Sequence, residues 1–238
     1  MRRVALFAAV GLTSMAVGSA VAADVDQGLD IRLSPNLPQK KGAAVKKFKL
    51  FVETTTKINN KEEQFATKRA VIFFDKNLVF AKSNYPSCSK TQIAQDDSKC
   101  PAASRVGKGT ASAEAVGQTQ DDLVIKAYDG PGATKFFLKI EGNEPLKIDS
   151  VLDASLKTAS GKFGKKLEVI IPNNLQQPLT GVFATLTRFT TTVFASAKGQ
   201  SYVSLKSCPT TKKLSFKGDF FFTDGTNKSA TDTIACRR

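Results

Sequence analysis

The chain contains no histidine and no tryptophan, and it has only two methionines and three tyrosines among its 238 residues. Histidine is the side chain that most often serves as a general base near neutral pH, so its absence excludes Ser-His-Asp and Cys-His catalytic arrangements. It also excludes hydrolytic zinc sites built on histidine. The lack of tryptophan argues against an aromatic sugar-binding surface, because such surfaces favour rings that carry a polar group.

Motifs for metals, nucleotides and cofactors are missing as well. The cysteines form no C-x-x-C pair, which disfavours a four-cysteine metal site. The carboxylate doublets Glu62-Glu63, Asp96-Asp97 and Asp121-Asp122 would place neighbouring side chains on opposite faces of a strand, where they rarely meet at one substrate. We therefore predict no catalytic residue, no metal, no cofactor and no enzymatic activity. A hydrolase that uses two carboxylates or a Ser-Lys pair, such as Ser155 with Lys157, stays open as the alternative.

The first 22 residues have the pattern of a secretory signal peptide. Arg2-Arg3 form a short positive segment, an apolar stretch runs from Val4 to Val17, and Ala20-Val21-Ala22 fits a cleavage site. The apolar stretch is too short to cross about 30 Å of hydrocarbon comfortably, which disfavours a membrane anchor. We expect cleavage near Ala22, by the general secretory or the twin-arginine route. The mature protein should be secreted or associated with the cell envelope, have no transmembrane segment, and serve a binding or structural role.

Four cysteines in an exported chain indicate two disulfides, for which three pairings are possible. Cys88 and Cys100 are close in sequence, across a polar loop. Cys208 and Cys236 flank a predicted hairpin. A two-residue turn at Asp224-Gly225, with φ above zero at both positions, would bring these two cysteines to the same end of the sheet. The sequence therefore favours the pairs Cys88–Cys100 and Cys208–Cys236.

Alternation of apolar and polar residues predicts about ten β-strands and almost no helix. In residues 47–54, for example, Phe48, Leu50 and Val52 alternate with charged side chains. The segment 84–110 is predicted to be irregular, apart from one short helix around residues 89–94. The other predicted strands are 70–74, 78–80, 123–128, 134–140, 150–156, 166–171, 182–189, 191–195, 202–206, 214–222 and 226–234.

This pattern is typical of an all-β fold. We predict an antiparallel β-sandwich of about ten strands, with jelly-roll and immunoglobulin-like topologies both open, stapled by two disulfides. Residues 23–44 contain Pro35, Pro38 and Gly42 and show little apolar pattern, which predicts a flexible or loosely docked lead-in. The predicted organisation is a signal peptide at 1–22, a lead-in at 23–44 and one sandwich domain at 45–238.

The chain is basic, with a net charge of +14 that arises from 27 lysines, eight arginines and 21 acidic residues. The lysines are spread from Lys40 to Lys228 without a dense arm. Lysines on the solvent faces of strands protect sheet edges from aggregation. Attraction to anionic envelope polymers or lipid head groups is the functional alternative. Specific nucleic-acid recognition is disfavoured, because it relies on arginine more than on lysine.

Several cysteine and glycine segments occur in a characteristic order along the chain. They are Tyr85-Pro86-Ser87-Cys88, the run from Cys100-Pro101 through Ser104, Val106, Gly107 and Gly109 to Ala111, Cys208-Pro209, the aromatic run ending at Asp224-Gly225, and Cys236. In these segments the chain resembles a family of secreted actinobacterial proteins of uncharacterised function.

The resemblance spans most of residues 45–236. It implies export, β-structure and the two disulfide pairs favoured above, and it transfers no activity and no catalytic residue. We interpret Gly107 and Gly109 structurally, as positions of tight backbone geometry where a loop enters the next strand. A phosphate-binding loop would need a following helix, and the residues that follow favour a strand.

Overall fold

The computed structural model describes residues 24–38, 47–59, 65–197 and 199–237; the predicted signal peptide lies outside this part of the chain. The two α-helices within it are α1 (Lys90–Asp96) and α2 (Asn173–Gln176), and three short 3-10 helices lie at Lys82–Asn84, Asp97–Lys99 and Ala102–Ser104. The strands are β1 (Val25–Ser34), β2 (Lys49–Ile58), β3 (Thr67–Asp75), β4 (Leu78–Phe80), β5 (Arg105–Ala115), β6 (Gln118–Asp129), β7 (Lys135–Gly142), β8 (Ile148–Thr158), β9 (Phe163–Ile170), β10 (Thr185–Val193), β11 (Ser196–Ala197), β12 (Gln200–Ser201), β13 (Val203–Leu205), β14 (Lys213–Phe222) and β15 (Asn227–Ala235).

Eleven strands form one continuous antiparallel sheet, in the order β1-β2-β10-β5-β6-β7-β8-β9-β3-β14-β15. The two edge strands approach each other, and the backbone N–H of Ile31 in β1 donates a hydrogen bond to Asp232 Oδ2 in β15 at 2.7 Å. Just beyond the strands, the Arg237 N–H donates to the Asn36 carbonyl at 2.9 Å. The all-β prediction is confirmed. The two-sheet sandwich is not confirmed, because one barrel-like sheet curls until its own edges meet.

The core lies inside this sheet, and the alternating burial along β14 shows how the sequence builds it. In β14, Leu214, Phe216, Phe220 and Phe222 are each no more than 3% exposed, while the residues between them are less buried except for Gly218. Curvature is helped by irregular pairing, such as the register shift between β10 and β5 near Leu186. The phenylalanines of β14 therefore form core, as their spacing predicts.

β7 differs from the other strands because it is buried on both faces. Leu138 and Ile140 face the core, whereas Phe137 and Lys139 lie on the outer face and are still only about 5% exposed. The outer face is covered by α1, whose Ile93 packs with Phe137. The Ser89 hydroxyl caps α1 by accepting from the Gln92 N–H at 3.2 Å, as expected of an N-cap serine. The short helix predicted around 89–94 is therefore confirmed.

Two predictions of irregular structure are wrong. Residues Val25–Ser34 of the predicted lead-in form β1, which pairs with β2 along its whole length; residues 39–44 lie outside the described part. Ile31 and Leu33 do alternate, but Gly28 and Asp30 weaken the pattern, so pairing with β2 decides the structure. The predicted irregular segment 84–110 likewise ends early, because β5 begins at Arg105.

Gly107 and Gly109 lie within β5 rather than at its entrance. A Cβ atom on Gly109 would overlap the carbonyl oxygen of Thr190 in β10, and one on Gly107 would lie 2.8 Å from the carbonyl oxygen of Thr192. Glycine is therefore needed here for the close approach of the neighbouring strand rather than for a turn.

Both predicted disulfides are present. Cys88 and Cys100 are bonded with their Cα atoms 5.5 Å apart, and Cys208 and Cys236 are bonded with a Cα separation of 5.6 Å. The first closes the loop that carries α1, and the second ties the chain before β14 to the chain after β15. Two disulfides indicate an oxidising compartment.

The β14–β15 hairpin turns where the sequence predicts it, but with a longer loop. The Gly225 N–H donates to the Phe222 carbonyl at 3.2 Å, and Phe222 in turn donates to the Thr226 carbonyl at 2.9 Å. Gly225 has φ of +91°, while Asp224 lies outside the left-handed region. The connection is thus a three-residue loop closed by a glycine, and the predicted two-residue turn is wrong.

Candidate functional site: an apolar cavity inside the sheet

An apolar cavity of about 300 Å³ lies inside the sheet, in the half where β2 ends and β3 begins. This volume is at the lower end of the range for pockets that hold small-molecule ligands. The apolar side chains around it come from nine strands, α2 and the adjoining loops. They include Val52, Ala70, Ile72, Phe74, Ala113, Leu123, Leu138, Ile140, Ile148, Leu152, Leu167, Val169, Leu175, Leu186, Phe189 and Phe220.

The inward side chains of β9 and β10 pack against the core and are nevertheless incompletely covered. Leu167 and Val169 of β9 and Leu186 and Phe189 of β10 are only partly buried, although they line the interior. Protein interiors are normally close-packed, and an empty apolar cavity costs about 24 cal/mol per Å³. The cavity is therefore a costly feature unless something fills it.

The cavity reaches the surface between loops at one end of the sheet. Val116 in the β5–β6 turn is 59% exposed, Leu179 in the β9–β10 connection is 54% exposed, and both line the cavity. Pro145, in the β7–β8 loop, lies beside the same opening. We call this opening, bounded by Val116, Pro145 and Leu179, the mouth.

The opposite end of the sheet interior is closed by aromatic side chains. Tyr202 is 1% exposed and packs edge-on against Tyr85, with ring centroids 4.8 Å apart, and against Phe136 at 5.9 Å. The Tyr85 hydroxyl donates to the Gln200 carbonyl at 2.8 Å and accepts from the Ala197 N–H at 3.0 Å. A ligand would consequently enter at the mouth.

The cavity walls offer little charge. Among the described residues that line it, none is a lysine or arginine, and Glu114, an exposed residue, carries the only carboxylate. The polar side chains are mainly threonines and glutamines; Gln120 is already engaged, donating to the Leu146 carbonyl at 2.7 Å. Because a buried charge needs a partner, this lining suits a neutral apolar ligand.

A second, polar cleft at the closed end contains a buried ion pair between Lys82 and Asp129, whose side chains are 10% and 1% exposed. Lys82 Nζ also donates to the Gly130 carbonyl at 2.7 Å. Burial lowers the pKa of Lys82 to about 8. The pair holds the end of β6 against the chain that follows β4, which is a structural role.

Charged residues converge on the outer face of the sheet rather than in the cavity. Asp97 accepts hydrogen bonds from Tyr128 Oη at 2.6 Å and from Lys126 Nζ at 2.9 Å. Burial acts to raise the pKa of Asp97, but these two bonds outweigh it and hold the pKa at about 2. Glu141 joins the cluster, 2.6 Å from Lys126 and 3.1 Å from Lys139. The two carboxylates of this cluster are thus neutralised by neighbouring lysines.

In the Ser155-Lys157 pair considered from the sequence, the lysine is already ion-paired: Lys157 Nζ donates to Glu168 at 2.6 Å. The described residues hold no cluster of three or more cysteine, aspartate or glutamate side chains suited to a metal ion. No described helix is long and apolar enough to cross a membrane.

Some lysines gather around two aromatic rings on the outer face. Phe73 of β3 and Phe163 of β9 have ring centroids 5.4 Å apart. Lys162 lies 5.3 Å from the Phe163 centroid, and Lys166 and Lys217 lie 5.9 and 5.6 Å from that of Phe73. We call these five residues the basic aromatic patch. It lies on the wall opposite to the cavity side of β3 and β9.

No family model, no curated protein and no solved structure matches the chain. The residues singled out from the sequence, which are the four cysteines, Gly107, Gly109, Asp224 and Gly225, support the sheet and do not line the cavity. The cavity gives no sequence signal of its own, since alternation marks inward residues whether or not the interior is filled.

Proposed function

We propose that the protein is a secreted, non-catalytic carrier that binds one neutral apolar small molecule, such as a lipid chain, inside its sheet. The observation that carries this proposal is the apolar cavity of about 300 Å³ that reaches the surface at the mouth. The partly buried inward residues of β9 and β10 support it, because a ligand would complete their burial. Each additional methylene buried on binding contributes about 0.8 kcal/mol.

Titration with a neutral, polarity-sensitive dye tests the proposal. We expect one dye per protein and displacement by long-chain alcohols. Ala70 of β3 faces the cavity, so Ala70→Phe should occupy part of it and weaken dye binding at least about tenfold, the equivalent of about 1.4 kcal/mol. Ala94→Phe, on the exposed face of α1, is the matched control and should bind like the parent protein. Absence of binding, or equal binding by Ala70→Phe, would refute the carrier function.

The basic aromatic patch favours a second candidate function, the binding of anionic envelope polymers. Lys162 and Lys166 make no ion pair among the described residues, so their charge is available to a polyanion, while Lys217 is engaged by Asp219 at 2.9 Å.

A hydrolase has less support. It would need reactive groups converging in the cavity, and Glu114 is the only carboxylate among the described residues of its lining. Turnover of esterase, glycosidase or peptidase substrates by the folded protein would revive the hydrolase.

A further inference from the structure

The turn between β5 and β6 carries an unusual residue at its tip. Ala115 pairs with Gln118, so that Val116 and Gly117 alone connect the strands. Their φ angles are +45° and +75°, the left-handed values that such a two-residue hairpin turn requires at both positions. Asparagine or aspartate followed by glycine is the usual solution, and a β-branched residue with positive φ is strained. Valine at position 116 is therefore unfavourable for the conformation of this turn.

The strained valine is exposed at the opening of the cavity. Val116 is 59% exposed and borders the mouth of the cavity. Across the mouth, Leu179 is 54% exposed at the start of a tight turn that is closed by the Val182 N–H donating to its carbonyl at 2.9 Å. Exposed Pro145 occupies a third loop tip beside them.

From this arrangement we infer that the rim of the mouth docks on the surface of a lipid bilayer, where the cavity exchanges its ligand. Three apolar loop tips around one opening can enter the interfacial region of a bilayer together. A neutral apolar ligand dissolves in lipid far better than in water, so a bilayer is its natural source. This last step rests on the proposed carrier function, whereas the docking itself does not. Exposed Glu144 and Lys147 flank Pro145 with opposite charges, so docking should not need anionic lipid.

Flotation with phosphatidylcholine vesicles tests the inference. The parent protein should float with the vesicles. Val116→Asn should raise the melting temperature, because asparagine tolerates the left-handed region, and yet weaken vesicle binding roughly tenfold, because an anchoring valine is lost. The matched control is Val79→Asn, which replaces a valine that is 41% exposed in β4, outside the mouth, and should bind vesicles like the parent. Leu179→Ser should weaken docking as Val116→Asn does.

Several outcomes would overturn the docking. It is wrong if the parent protein does not float, if Val116→Asn and Leu179→Ser bind vesicles as the parent does, or if Val79→Asn loses as much as they do. It is also wrong if sedimentation shows that the rim instead joins two copies of the chain. Dye binding by the parent protein in vesicle-free solution reports the cavity separately, so a failure of docking and a failure of the carrier function are distinguishable.

Discussion

The Asp232 carboxylate accepts a hydrogen bond from the backbone N–H of Ile31 across 2.7 Å, and the two residues lie on the opposite edge strands of the sheet. The described backbones of β1 and β15 form no strand ladder, and this side-chain hydrogen bond links the two edges instead. Ile31 is fully buried, so its N–H has no access to water and would be left without a partner if the carboxylate were removed. Together with the Arg237–Asn36 hydrogen bond, this contact holds the edges of the barrel-like sheet together.

We expect Asp232→Ala to lower the free energy of unfolding by about 1–3 kcal/mol, because it leaves that N–H unsatisfied. Asp232→Asn should recover part of the loss, since its amide oxygen can still accept. Asp30→Ala removes an exposed carboxylate whose ion-pair partner among the described residues is Arg32 on the same strand, and should change stability by less than about 1 kcal/mol. Urea denaturation measures all three. Equal effects of the two alanine variants would contradict a closing role for Asp232.

The second disulfide should contribute more to stability than the first, because it closes a longer loop. Cys208 and Cys236 are 28 residues apart, and Cys88 and Cys100 are 12 apart. In the chain-entropy model the expected losses on removal are about 3.6 and about 2.8 kcal/mol. Paired serine variants, which leave no free thiol, should show this order in urea denaturation. Cys236→Ser alone should lower the melting temperature and leave Cys208 reactive to thiol reagents.

The depressed pKa of Asp97 links stability to pH. Because its pKa is about 2 in the folded protein, against an ordinary value of about 3.8, the carboxylate stabilises the fold above about pH 4. This contribution, at most about 2.4 kcal/mol, should be lost as the pH falls from 4 through 2. Asp97→Asn should therefore be less stable than the parent at pH 7, and the difference should shrink on acidification. A difference that is constant from pH 7 to pH 2 would contradict this assignment.

If the basic aromatic patch binds polyanions, the binding should weaken with salt. Retention on an immobilised anionic polymer should fall steeply between about 50 and 200 mM salt, since exposed charges are screened over about 10 Å at 0.1 M. The double variant Lys162→Gln/Lys166→Gln should bind less and show a shallower salt dependence. Lys57→Gln/Lys147→Gln removes the same charge from exposed positions elsewhere and serves as the control. If both double variants lose binding equally, the net charge of the chain is responsible and the patch is not.

Alternation identified the β14–β15 hairpin and its core phenylalanines, and hairpin geometry paired Cys208 with Cys236 correctly. These features depend on neighbours close in the chain, or on a two-residue period that leaves a clear pattern. The predicted signal peptide stays a prediction because residues 1–22 lie outside the described part. The family resemblance also stays a prediction, because no family model matches the chain.

By itself the sequence determined the β class, the short helix α1 that contains Ile93, the disulfide pairs and the absence of histidine chemistry. Each of these follows from local composition and spacing. Only the tertiary structure decided that β1 joins the sheet, that the edges meet at Ile31 and Asp232, and that the interior holds a cavity. These depend on how eleven strands far apart in sequence are ordered and curved. An inward-facing leucine such as Leu167 looks the same in a sequence whether it meets another side chain or empty space.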